Sequence, residues 1–283
     1  GYEPLINMAD IIKVDFRITT DPEERARLRE VLPPHVRLLA EKIETEDEFR
    51  QAVEDGYVLF QGYFFCKPVV LHQKRLTNNE LSRIRLLKEV NRPNFDFNAI
   101  TDVIAADTSL VHKLLTYINS VGIGLTNHVS NLRQAAVLLG SSGIRSWVTL
   151  ISLQTFSEDK PSELFTLSLL RAKFCELIAR RLNRRDLTPD TGFLLGMFSL
   201  IDVLLNQPMA EVLKEITLAD ELNAALLGED NDLRRLLDLV ISYEQGDWSS
   251  VAACCAHEHI PLGEISPIYD EVLEWYNKLQ SVC

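Results

Sequence analysis

The feature that most constrains this chain is a change of period near Leu76. From there to the C-terminus apolar residues recur about every 3.6 positions, the spacing of an amphipathic helix. Short polar breaks separate the segments, and they carry turn chemistry: "NRPNFD", "SVGIGLTNH", "EDKPS", "LTPDT", "EQGD" and "HIPLG". The pattern predicts helices near 78–91, 96–106, 108–119, 131–139, 142–155, 161–183, 189–206, 208–216, 219–227, 232–245, 249–257 and 264–280. Residues 74–283 are therefore expected to form an all-helical bundle with short loops.

Residues 1–73 read differently. "DIIKVDF" (10–16), "VRLLAEKI" (36–43) and "YVLFQGYFF" (57–65) are strand-like runs. Between them, "DPEERARLREVL" offers Asp21 as an N-cap with Pro22 at the first helical position. "TEDEFRQAVEDG" offers Thr45 with Glu48 three residues on, a capping box. Strands alternating with helices predict a parallel sheet. The expected fold class is thus mainly α: a helical domain over 74–283, preceded by a short α/β piece over 1–73.

Charge and cysteine content narrow the function. The 283 residues carry a formal net charge of −12. A nucleic-acid binder needs a basic face to displace counterions from phosphate. The best local patch, "ARRLNRR" (179–185), reads instead as a solvated helix C-terminus, where arginine suits the dipole. No nucleic-acid partner is expected. No apolar run approaches the ~18 residues of a membrane span, and no basic segment leads into an apolar one as in a secretory signal. Five irregularly spaced cysteines suit reduced thiols in a cytoplasmic protein. The chain opens with Gly and not Met, as a fragment or a chain with a residual tag would.

A barrel of the (β/α)₈ kind keeps its chemistry at the C-terminal ends of its strands. Here those ends carry Lys13 and Asp15, then Glu41 and Glu44, then Gln61. "ADIIKVDF", "LLAEKIETEDEF" and "LFQGYFFCKP" occur in order and resemble the last third of an EAL domain, the cyclic di-GMP phosphodiesterase barrel. In active members two metal ions activate a water for attack on a phosphodiester. The resemblance places Lys13 beside the site, and Glu41 and Gln61 near the metals and the water. The Glu-Ala-Leu signature and most metal carboxylates of the family are not in this sequence, and Lys42 stands where active members usually have Gly. Lys13, Glu41 and Gln61 are therefore expected to be vestigial. Three strands without a barrel also expose an apolar face, expected to be covered by the helical domain or by a second copy of the chain.

The helical part resembles the HDOD domain, an output module related to HD-type phosphohydrolases. "DTSLVHKLLTYINS" (107–120), "NLRQAAVLLGSSGIRSWVTLISL" (131–153), "LSLLRAKFCELIAR" (167–180) and "TGFLLGMFSLIDVLL" (191–205) follow in family order. An HD enzyme holds metal through an adjacent His-Asp pair and further His and Asp residues from neighbouring helices. In "GMFSLID" that pair falls on Ser199 and Leu200, and the upstream His falls near Leu167. None of these binds a metal. Asp202 lies just past the lost pair and is expected to be a buried or half-buried acceptor, bonded to backbone or to an arginine.

Other candidates read as structure. In "ACCAHEHI" the pairs Cys254/His257 and Cys255/His259 point about 100° or more apart on one helix, so one ion cannot collect all four. His112 is expected at the core edge, and Ser141 and Ser142 as a helix cap, since no nucleophile elbow surrounds them. Trp147, Trp248 and Trp275 are either packing anchors or a partner surface. The resulting expectation is a non-catalytic bacterial signalling module without cofactor or metal. Its partner would be another protein, an upstream sensor domain or a second copy. Cyclic di-GMP would enter only through the full-length protein, either hydrolysed by residues upstream of Gly1 or bound without cleavage.

Overall fold

The computed structural model of the chain describes residues 3–43, 45–62, 77–92, 94–120, 128–158 and 160–280. Its contacts divide it into two compact units, Gly1–Lys67 and Pro68–Cys283.

The first unit opens with a short helix that the sequence reading did not anticipate, α1 (Glu3–Met8). It continues as β1 (Ile11–Asp15), α2 (Pro22–Val31), β2 (Arg37–Glu41), α3 (Glu46–Glu54) and β3 (Leu59–Gln61). The strands form a parallel sheet in the order β1-β2-β3. Both expected helix starts hold. Asp21 accepts from Glu23 N–H, and Thr45 and Glu48 exchange both bonds of a capping box. Val14, Phe16, Leu38, Ala40, Ile43, Ala52 and Tyr57 make the core, with Phe16 and Tyr57 edge to face at 5.4 Å. The sheet is open at β1 and β3, and no closed barrel exists among the described residues. The part of the expected third strand beyond Gly62 lies outside them, as does Glu44.

The second unit is helical throughout its described residues. It runs α4 (Asn78–Val90), α5 (Phe97–Ala105), α6 (Thr108–Ser120), α7 (Leu132–Phe156) and α8 (Ser162–Leu182). Then follow α9 (Pro189–Phe198), α10 (Ile201–Leu205), α11 (Met209–Glu215), α12 (Asp220–Leu226), α13 (Asp232–Gln245), α14 (Trp248–Glu258) and α15 (Ile265–Gln280), the last entered through a 3₁₀ turn at Leu262–Glu264. Polar caps start most of them: Thr77, Asp96, Asp107, Asn131, Thr188, Asn231 and Asp247 each accept a backbone N–H.

Two boundaries differ from the periodicity. The stretches 131–139 and 142–155 are joined into α7 through Gly140, whose φ of 65° and ψ of −175° kink the helix. An L-residue is strained at that φ. Ser141 and Ser142 sit just past the kink, and neither side chain makes a capping bond among the described residues, so the expected cap is not formed. Joined, α7 is long and apolar enough to cross a membrane by length and composition, contrary to the sequence reading. Half of its most apolar window is buried within the fold, as in a core helix.

The second difference matters most. The expected single helix over 189–206 is two, α9 and α10, broken at Ser199–Leu200. Ser199 Oγ donates to Gly196 O at 2.7 Å, and Leu200 leaves the helical region with φ −126° and ψ 14°. A serine that bonds the preceding turn competes with the helical ladder, and here it ends the helix.

Candidate functional site

Helices α8 and α9 pack unusually closely, and glycine permits it. A Cβ on Gly196 would lie 2.4 Å from Ala172 N, and one on Gly192 would lie 2.7 Å from Cys175 O. This approach carries Ser199, at the C-terminal end of α9, to Arg171 in the middle of α8. Arg171 Nη1 donates to Ser199 Oγ at 3.3 Å. Its Nε reaches both carboxylate oxygens of Glu244 on α13, at 3.0 and 2.8 Å. The Arg171 side chain is 4% exposed and that of Glu244 10%. Burial pushes the Glu244 carboxyl up to about 7, and the Arg171 charge opposes that rise.

Asp202 lies in the first turn of α10, half-buried. Burial raises its pKa, while the backbone N–H groups of Val203 and of Asp202 and the charge of Arg171 work against the rise. The expectation of a half-buried acceptor near an arginine fits this placement. Leu200 is 4% exposed and packs in the core. The position taken for the lost His-Asp pair therefore adjoins a buried guanidinium held by one hydroxyl and one carboxylate. Among the described residues, no group of three or more His, Cys, Asp or Glu side chains gathers as a metal set would. Arg171 had been read only as part of a family motif. Its meaning rests on partners 28 and 73 positions away.

In the sheet unit the residues singled out by the sequence converge. Asp15 pairs in register with Glu41, and Glu41 with Gln61, so the C-terminal ends of all three strands align. Lys13 Nζ donates to Glu41 Oε1 at 2.9 Å. Lys42 Nζ donates to Asp15 Oδ2, and that bond holds the Asp15 carboxyl below the usual range. Lys42 has a φ of 61°, in the left-handed region where glycine is at ease. Gly62 is confined for another reason: a Cβ there would lie 2.1 Å from Ile43 O.

The remaining candidates separate. Cys255 is buried on α14 and Cys254 partly so, while His257 and His259 are exposed. His257 Nδ1 pairs with Glu258, and His259 caps the helix with a φ of 56°. They do not form a metal set. His112, expected at the core edge, is exposed. The tryptophans divide between the two roles: Trp147 is fully buried, Trp275 sits under Lys173 Nζ at 5.5 Å, and Trp248 is 62% exposed against Tyr243.

A helical bundle with this order of elements defines a class, and comparison with known proteins identifies it. The HDOD domain model matches residues 81–230, over half of the chain and wholly within the helical unit, and the chain belongs to the HDOD domain family. Two curated relatives align along nearly all of it. One is the Bacillus subtilis (strain 168) protein named "Uncharacterized protein YuxH", 36% identical over 280 residues, covering 98% of this chain and 68% of that one. The other is "Cyclic di-GMP phosphodiesterase CdgJ" of Vibrio cholerae serotype O1, 36% identical over 277 residues, covering 97% of this chain and 64% of that one. The chain thus spans about two thirds of the length of these relatives. No solved structure matches it significantly.

Proposed function

We propose that this chain is a non-catalytic bacterial signal-transduction module, cytoplasmic, that acts by binding another protein. The observation that carries the reading is Arg171. In an HD enzyme the corresponding cluster would collect a metal cation between imidazoles and carboxylates. Here a permanently charged guanidinium lies 3.3 Å from Ser199 and ion-pairs with Glu244. A fixed cation at that point repels a divalent ion, and Ser199 and Leu200 offer it no useful ligand. What remains is a rigid helical scaffold suited to docking.

On the same reading, residues 1–73 are the last part of an EAL-like barrel, with Lys13, Glu41 and Gln61 as vestiges of its site. Their alignment along the strand ends supports this. The test is to incubate the chain with cyclic di-GMP and magnesium or manganese and to follow the nucleotide by chromatography. No turnover is expected. Metal-stimulated hydrolysis that Glu41→Gln abolishes would overturn the non-catalytic reading.

A second reading is favoured by the name of the Vibrio relative. The helical unit would regulate a phosphodiesterase whose catalytic residues belong to a longer protein. Hydrolysis by a chain of the relatives' full length, absent from this one, would select it. Heat of cyclic di-GMP binding without hydrolysis, in calorimetry on that longer chain, would select a receptor instead.

A further inference from the structure

A cavity of about 700 Å³ opens between α6, α7, α8 and α15, and neither the family match nor the buried Arg171 cluster accounts for it. Its size falls within the range of small-molecule sites, roughly 300–1,000 Å³. Its inner wall is apolar and includes Trp147, Leu150, Ile151, Phe165 and Leu169. Its rim is basic: His112, Lys113 and Lys160 line it, against Glu158 as the one acid among the described lining residues. Lys113 Nζ is bonded to a neutral group, Gln154 Oε1, at 3.1 Å. Neither Lys113 nor Lys160 has a carboxylate partner among the described residues. In a chain of net charge −12, two lysines against one glutamate among the described lining residues make this rim locally basic.

Two further features shape the wall and the rim. Trp147 is fully buried at the back of the wall, and its indole N–H has no hydrogen-bond acceptor among the described residues. At the rim, Tyr276 OH pairs with Thr166 Oγ1 at 2.8 Å and accepts from Gln280 Nε2 at 2.6 Å, which fixes the ring from α15. An apolar wall, aromatic side chains and a cationic rim together select one chemistry. We propose that this cavity binds a small organic anion: a flat aromatic body against the wall, with a phosphate or carboxylate held by Lys113 and Lys160.

The test uses the whole chain with 1-naphthyl phosphate, 1-naphthaleneacetate and the uncharged 1-naphthol, followed by calorimetry. At least one anion should bind at one-to-one stoichiometry, about tenfold or more tighter than 1-naphthol. The phosphate and carboxylate arms tell the two head groups apart. Lys113→Gln with Lys160→Gln should weaken the anion about tenfold and leave 1-naphthol unchanged, whereas Lys214→Gln, on α11, should do neither. If the double variant unfolds, raising salt on the unmodified chain must weaken the anion selectively. No saturable binding of either anion, equal binding of 1-naphthol, or an affinity indifferent both to the lysines and to salt would overturn the assignment.

Discussion

The buried Arg171–Glu244 pair gives the most demanding expectation. Arg171→Met keeps the length and apolar stem of the side chain but removes the cation. It leaves Glu244, only 10% exposed, without the donor that bonds both its oxygens. Breaking a buried pair from one side costs about 3–5 kcal/mol, because an uncompensated charge stays inside. For a unit of this size each kcal/mol moves the melting temperature by roughly 2–4 °C, so the loss should be about 6–20 °C.

The sign of the pH dependence follows from Glu244, whose folded pKa is raised by burial to about 7, above its ordinary value. Between the ordinary and the raised value the folded state holds a proton that the unfolded state has released. The carboxyl's contribution therefore favours folding at low pH and fades as pH rises through about 7. Without Arg171 the folded pKa climbs further. The Arg171→Met loss should thus be smallest near pH 5.5 and largest near pH 8, as measured by circular dichroism melts at both. Adding Glu244→Leu removes the stranded carboxylate and should restore most of the stability. A loss under about 1 kcal/mol for Arg171→Met, or a double variant no better than the single one, would refute the reasoning.

Other substitutions test the local arguments. Gly196→Val places side-chain atoms against the α8 backbone, so it should cost about 2–3 kcal/mol or more in denaturant unfolding. Gly62→Ala meets the Ile43 backbone and should make residues 1–62 sensitive to limited proteolysis, with the helical unit intact. Lys42→Gly relieves a left-handed φ but loses an exposed ion pair, so it should be near neutral; Lys42→Val should cost about 1–2 kcal/mol. Trp248→Ala should change stability by no more than about 1.5 kcal/mol, since its ring is largely exposed and packs edge to face on Tyr243.

The sequence by itself determined what depends on neighbours along the chain. The 3.6 period placed the helices of the second unit, and strand-like apolar runs between helical segments placed the three strands. Asp21, and Thr45 with Glu48, marked helix starts that the structure reproduces. The break at Ser199 was not legible, because "FLLGMFSLIDVLL" is apolar enough to read as one helix and the serine's bond to Gly196 O depends on its rotamer. Nor could the sequence show what lies against Ser199. Tertiary structure decided the rest: two glycines let α8 and α9 approach, and that approach sets Arg171 between Ser199 and Glu244. Propensity and capping act within a few residues, whereas a buried charge takes its partners from wherever packing brings them.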